Sequence, residues 1–225
     1  MRDMWSPIIA VLALCFAIAP ALAQAQDEQL WTKLDVSTKL FEGIELVLET
    51  NQRLSDDLGG LYESQYSAAV GIELSKGVTL TGGVNRVVSV RNGQVSNTEW
   101  RPRQQVSFPI TMLGGGKLAG RVRFEQRFQS NGQDVGHRVR PEVTYALPLS
   151  EALDLRFAHE SYFNLNTADF GQVAGYERMR NSATLSFPIV ERMHAEVGYM
   201  NQYRFNGDAR DLMEHALTTG LSIKF

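Results

Sequence analysis

Leu30-Trp31-Thr32-Lys33-Leu34-Asp35-Val36-Ser37-Thr38-Lys39-Leu40 alternates with a period of two. Leu30, Thr32, Leu34, Val36, Thr38 and Leu40 fall on one face of an extended chain, and Lys33, Asp35, Ser37 and Lys39 on the other. A 3.6-residue period would mix the two sets, so the segment reads as a strand with one apolar and one polar face. The pattern then repeats to the last residue. Glu42-Gly43 makes a short turn, and the next strand sets Ile44, Leu46 and Leu48 against Glu45, Glu49 and Arg53. A longer polar loop, Ser55 to Gly60, follows. Further strands are expected at about 62–74, 78–91, 98–110, 118–128, 138–149, 153–165, 176–189, 193–204 and 213–225.

This reading counts eleven strands, joined alternately by short links near Lys76, Gly115, Ala152 and Arg192 and by long ones near Gly60, Gly93, Gly132, Gly171 and Asp208. Such a rhythm belongs to an antiparallel up-and-down barrel with short turns at one rim and long loops at the other. Single-chain bacterial barrels use an even number of strands. The expectation is therefore twelve or ten, with one strand missed or miscounted.

Alternation alone does not say which face is inside, because a soluble sandwich or a secreted lipid-carrying barrel of the lipocalin type shows the same period. Three features turn the apolar face outward to lipid. Segments of about eleven residues match a tilted membrane crossing of about 9–11 residues and are twice the usual globular strand. The aromatics sort by height, with Tyr62, Tyr66, Trp100, Phe128, Phe163 and Tyr203 toward the long-loop ends and Phe108, Tyr145, Phe187 and Phe225 toward the short-turn ends, as in the two girdles of an outer-membrane barrel. Finally, Gly220-Leu221-Ser222-Ile223-Lys224-Phe225 resembles the terminal signal by which such barrels are recognised for assembly, which assigns Gly220, Ile223 and Phe225 to the barrel-assembly machinery.

The amino terminus fits that destination. One Arg in the first five residues, an apolar run from Ile8 to Ala19 and the small-x-small site Ala21-Leu22-Ala23 make a secretory signal peptide over residues 1–23. The barrel then occupies 24–225, in the outer membrane of a Gram-negative bacterium. The run is too short to span a bilayer as a helix. Cys15, the single cysteine, follows the large Leu14 and is itself followed by more apolar sequence, so it does not read as a lipidation site. Disulfides and cysteine-based zinc sites are thereby excluded. A net charge of -3 gives no reason to expect nucleic acid as a partner.

With the apolar face toward lipid, the charged residues become the lumen. Only Arg86 and Glu177 fall on the outward face, both toward the long-loop rim, where an interfacial charge costs about 0–1 kcal/mol instead of about 2–4 at the midplane. Arg86 is placed to meet lipopolysaccharide phosphate. Along the chain the inward charges are uneven. Arg101, Arg103, Arg121, Arg123, Arg127, Arg138, Arg140, Arg156, Arg178 and Arg180 face Glu99, Glu125, Glu142, Asp154 and Glu160, whereas the early strands bring Glu45, Glu49, Glu63 and Glu73 with Arg53 and Arg91. Neighbouring strands thus form a basic wall opposite a mildly acidic one. Arg-x-Arg occurs four times, each pair projecting inward about 7 Å apart. Rings or tracks of arginine favour anions in pores, and a guanidinium holds carboxylate or phosphate in a bidentate fork. The same side chains also suit a plug-like ion-pair network across a barrel of ten to twelve strands. Replacing Arg123 and Arg140 together is expected to separate the two: a conduit loses anion selectivity, a network loses stability as Glu125 and Glu142 lose partners.

One other constellation carries chemistry. His159 and Ser161 stand two apart on the outward face of the eighth strand and Asn181 is outward on the ninth, an arrangement that resembles the Ser-His-Asn set of outer-membrane phospholipase A and suits interfacial acyl hydrolysis. The bland alternative is a set of interface-height polar residues. His137, His194 and His215 are scattered without metal-ligand spacing, and no phosphate loop or nucleotide motif occurs. No cofactor is expected.

The order of several short motifs resembles a bacterial outer-membrane barrel family, domain of unknown function 2490. They are Gln29-Leu30-Trp31, Glu99-Trp100-Arg101-Pro102, Arg121-Val122-Arg123-Phe124-Glu125-Gln126-Arg127, Glu160 followed by Phe163 and Asn164, and Gly198-Tyr199-Met200-Asn201-Gln202. The resemblance implies the fold and the location and brings no established activity. Chain size and inward arginine ladders are also similar to the small twelve-stranded channels for acidic oligosaccharides. The sequence thus supports a non-enzymatic narrow channel or binding conduit for small anionic solutes, with a plugged envelope-maintenance barrel and a lipid-facing acyl hydrolase as alternatives.

Overall fold

A computed structural model describes residues 25–205 and 211–225; the expected signal peptide and the centre of the loop near Asp208 lie outside them. Eleven strands follow in order: β1 (Ala25–Phe41), β2 (Ile44–Ser55), β3 (Gly60–Ser75), β4 (Val78–Arg91), β5 (Gln94–Leu113), β6 (Gly116–Gln129), β7 (Val135–Ser150), β8 (Leu153–Asn164), β9 (Gly175–Val190), β10 (Met193–Arg204) and β11 (Leu212–Lys224). Each pairs antiparallel with the next, and β1 and β11 close the cylinder.

The expected even number is not met. Every segment read from the alternation forms one strand, and closure at eleven brings β1 and β11 together in parallel, in continuous register from Ala25↔Leu212 to Ser37↔Lys224. Parallel pairing is slightly weaker per residue than antiparallel, but an unpaired β1 and β11 would expose two rows of backbone donors and acceptors to lipid, which costs several kcal/mol per group.

One rim consists of two-residue turns at 42–43, 76–77, 114–115, 151–152 and 191–192. The other rim carries loops at 56–59, 130–134 and 165–174 and the partly described 205–211. The connection near Gly93, expected to be long, is a two-residue turn. Asn92 and Gly93 have φ of 53° and 74°, the paired positive values of a type I′ hairpin turn, which Asn-Gly adopts with little strain.

Register shifts interrupt eight of the strand pairings, and at two of them a residue crosses the wall against expectation. Between β2 and β3 the register steps from Arg53↔Glu63 to Leu54↔Leu61, and Tyr62, expected in the outward girdle, donates its hydroxyl to lumenal Gln29 Oε1 at 2.7 Å. Between β8 and β9 it steps from Tyr162↔Arg178 to Phe163↔Tyr176, so Glu177, expected outward, turns in and accepts from Arg138 Nη1 at 3.2 Å. An extra residue in one strand resets the in/out parity. Arg86 stays outward as expected, its guanidinium 4.8 Å from the Trp100 ring centroid.

Outside the bulges the apolar side chains face out on every wall, Leu34, Leu48, Val70, Leu80, Val106, Val122, Val143, Val197 and Leu217 among them, all solvent-exposed. A soluble monomer rarely exposes an apolar patch of more than a few hundred Å², whereas a lipid-facing barrel requires a continuous belt. Inside, the described apolar core is small: Trp31, Met200 and Ala216, on β1, β10 and β11.

Candidate solute path through the lumen

Interior side chains come from alternate positions of every strand, and they enclose a cavity of about 460 Å³. Twelve arginines and Lys33 line it against five glutamates. All ten arginines of the expected basic wall are among them, as are Glu99, Glu142 and Glu160; Glu125 lies deeper, 1% exposed and behind its guanidinium partners.

Five carboxylates organise the wall. Glu99 takes a two-pronged contact from Arg101 on its own strand (2.8 and 2.9 Å) and another from Arg127 on β6 (2.8 and 3.1 Å). Glu125 accepts from Arg138 (2.6 and 3.0 Å) and from Arg140 (2.6 Å) on β7. Arg140 also grips Glu160 on β8 (2.9 and 3.1 Å), and Arg121 bridges Glu160 to Glu142. Glu177 ties Arg178 to Arg138. Forked charge-assisted bonds of this kind are strong and directional, so these guanidiniums hold fixed positions.

The other wall is paired more sparsely. Arg53 contacts Glu63 at 2.6 Å, Arg204 forks onto Glu214 (2.9 and 3.1 Å), and Arg103 on β5 reaches across to Glu49 on β2. The acidic wall thus takes up guanidiniums from the basic one.

Three of the lining arginines lack a close carboxylate among the described residues. Register puts Arg123 directly opposite Arg140, and like charges facing each other across strands repel. Arg123 turns instead to Gln105, donating from Nε at 2.9 Å, with its nearest carboxylate, Glu125, at 3.9 Å. Arg156 stands 3.9 Å from Glu142 with a half-exposed side chain. Arg180 donates to Gln202 Oε1 and lies 3.8 Å from Glu160. Arg103 Nε and Arg121 Nε are buried without a hydrogen-bond partner among the described residues.

Two aromatics that sequence reasoning passed over hold the arrangement. Tyr162, 2% exposed, is surrounded by the guanidiniums of Arg140 (4.4 Å), Arg138 (5.2 Å), Arg180 (5.2 Å) and Arg178 (5.4 Å), and its hydroxyl donates to Glu160 at 2.6 Å. Trp31 stacks under Arg53 at 3.7 Å and Arg180 at 4.7 Å and donates from Nε1 to Gln29 at 2.6 Å. Cation–π contact neutralises no charge, yet it fixes planar guanidiniums in place. The signal was in the parity: Trp31 shares a face with Lys33, and Tyr162 with Glu160.

At the long-loop rim, the 165–174 loop folds over β6 and β7. Gln172 accepts from Arg127 Nη1 at 3.1 Å, the Phe170 ring lies 5.6 Å from the Arg127 guanidinium, and Asp169 accepts the Gln133 N–H at 2.8 Å.

The remaining sequence candidates fall elsewhere. On β11, Gly220 faces the lumen, its nearest neighbour being Glu196, and Ile223 pairs with Met193. Phe225 stays exposed at the two-residue-turn rim and donates its backbone N–H to Ser37 O at 2.9 Å. On the outer wall His159, Ser161 and Asn181 do come together: His159 Nδ1 is 2.7 Å from Asn181 Oδ1, and His159 Nε2 is 3.2 Å from Ser161 Oγ.

Comparison with known proteins agrees with this architecture. The NanC porin, in its rhombohedral crystal form, superposes with a TM-score of 0.56 over 88% of this chain and 99% of the porin, at 16% identity, a likeness of fold. An uncharacterized protein of Methylorubrum extorquens is 30% identical over 222 residues, covering 95% of this chain and 96% of the relative. A family model described as protein of unknown function (DUF2490) matches residues 28–213. The chain belongs to that family.

Proposed function

We propose that this protein is a narrow channel in the outer membrane for small anionic solutes. The observation that carries the reading is the charge of the lumen: thirteen cationic side chains line the cavity against five carboxylates, and a smaller positive excess survives once Asp35, Glu125, Glu177 and Glu214, which pair with lining cations from behind, are counted as well. In a cavity with low-dielectric walls that excess concentrates anions and repels cations. Arg123, Arg156 and Arg180, without close carboxylates, are the groups that engage a passing carboxylate or phosphate. The outward apolar belt meets the lipid, Arg86 meets lipopolysaccharide phosphate, and the terminal strand with Gly220, Ile223 and Phe225 addresses the assembly machinery. The porin fold supports the same reading.

Planar-bilayer recordings across a salt gradient test it. The native barrel should give a reversal potential on the anion side, with current reduced by added anionic sugars. Arg123→Ala/Arg156→Ala should move the reversal potential toward zero with little loss of stability. The clamped glutamates favour a second reading, a closed barrel that serves the envelope mechanically, and a correctly folded protein that never conducts would establish it over the first.

A further inference from the structure

The outer wall carries a polar set that the lumen does not use. Lipid-facing positions favour apolar side chains, and an unpaired polar group there is costly; yet His159 and Ser161 on β8 and Asn181 on β9 stand among them, with His159 directly paired to Asn181 across the two strands. With the imidazole neutral, their hydrogen bonds fit one arrangement of protons. Asn181 Oδ1 can only accept, so at 2.7 Å His159 Nδ1 must carry the proton. Nε2 is then an acceptor, and at 3.2 Å Ser161 Oγ–H donates to it. That is the tautomer and the direction a serine nucleophile needs: base beside hydroxyl, third group holding the base. A fourth group completes the site. Tyr176 Oη lies 3.1 Å from Ser161 Oγ, where its proton can turn to the oxygen of a carbonyl under attack.

The height of the site names its substrate. Phe163, two residues beyond Ser161 on the same face, packs against Tyr176 at 4.9 Å, and Tyr176 against Phe205 at 5.1 Å. Such aromatics mark the membrane–water interface at the long-loop rim, and Ser161 lies about 7 Å along the strand on the membrane side of Phe163. Carboxylic esters of a lipid occupy that boundary between headgroup and hydrocarbon, within reach of water.

We propose that Ser161, His159, Asn181 and Tyr176 form an esterase centre for acyl esters of lipids in the external leaflet. Ser161 Oγ forms a bond to the acyl carbon while its proton passes to His159 Nε2. Tyr176 stabilises the oxyanion, and the carbon–oxygen bond to the lipid alcohol breaks as His159 returns the proton to the departing oxygen. Water then attacks the acyl-serine, giving its proton through His159 to Ser161 Oγ, and a fatty acid and a deacylated lipid leave. Ser161, His159 and Tyr176 are the catalytic residues; Asn181 is a positioning residue.

The test uses the full barrel in detergent micelles, with a fluorophosphonate probe and two substrates, a diacyl phospholipid and lipopolysaccharide, each assayed for fatty-acid release. The native protein should be labelled at Ser161 and should release fatty acid from one of the two, which identifies the source of the ester. Ser161→Ala should abolish labelling and lower release by roughly 10³-fold or more in a barrel whose heat-modifiable mobility is unchanged. Asn181→Ala should lower kcat with KM held, and Asn181→Asp should restore it. Labelling without release from either lipid, absence of both, or release that survives Ser161→Ala overturns the proposal.

Discussion

Glu125→Gln is the substitution the lumenal network is least able to absorb. The carboxylate is 1% exposed and accepts from Arg138 at 2.6 and 3.0 Å and from Arg140 at 2.6 Å, with Arg123 at 3.9 Å. An amide of the same shape keeps the packing but removes the charge, and its nitrogen presents two donors to guanidiniums that are donors themselves. Removing one partner of a buried ion pair costs about 3–5 kcal/mol. Two features place this case near the lower bound, because Arg140 keeps Glu160 and Arg138 keeps Glu177. A loss of about 3 kcal/mol in a chain of this size lowers the melting temperature by about 6–12 °C. Heat-modifiable electrophoretic mobility and tryptophan fluorescence in detergent micelles both follow the transition. A variant melting within about 2 °C of the native protein would refute the assignment of Glu125 as shared counter-ion. The double variant Glu125→Gln/Arg140→Gln should cost less than the sum of the two single variants, since both remove the same contact.

Three further outcomes are expected. A side chain at Gly198 on β10 would bring its Cβ within 2.6 Å of Ala183 O and 2.7 Å of Thr184 Oγ1, backbone and short side chain that cannot withdraw; Gly198→Ala should cost about 1–3 kcal/mol in the same melting assay. At Gly220 the nearest atom is the end of Glu196 at 3.4 Å, and Gly220→Ala should melt like the native protein. Anion preference should fall as salt rises from 0.1 to 1 M, because the screening length shrinks from about 10 to 3 Å; a preference unchanged at 1 M would mean that pore width and not charge selects.

Much of this was legible in the sequence, and what was not has identifiable causes. Alternation with period two is the most direct imprint a fold leaves on a sequence, so strand number and the outward belt could be read, and the even-number rule proved the poorer guide. Parity placed all ten inward arginines and failed for Tyr62 and Glu177, where a bulge intervened. Nothing in Leu61-Tyr62-Glu63 or Tyr176-Glu177-Arg178 marks an extra residue, because a bulge is settled by the partner strand. Register was likewise out of reach. In the sequence Arg123 and Arg140 look equivalent, and replacing both was expected to separate conduit from network; in the fold one turns away to Gln105 while the other is held by two carboxylates, so the joint variant would mix the two effects. The outer-wall set shows the opposite case. His-x-Ser is a common spacing, and only the pairing of His159 with Asn181 distinguishes it from chance.

The parallel seam between β1 and β11 has a consequence for the ancestry of the chain. A barrel with an even count of strands has the free ends of its first and last strands on one rim, where a short linker can join them and new ends can open elsewhere. Here Ala25 stands level with Leu212, and Phe225 lies at the far end of the same strand pair, roughly 40 Å away at about 3.3 Å per residue. Any linker would have to thread the pore or cross the hydrocarbon. The order of strands is therefore locked: this barrel cannot be cyclically rearranged, and descendants that add or lose whole hairpins inherit the same odd parity.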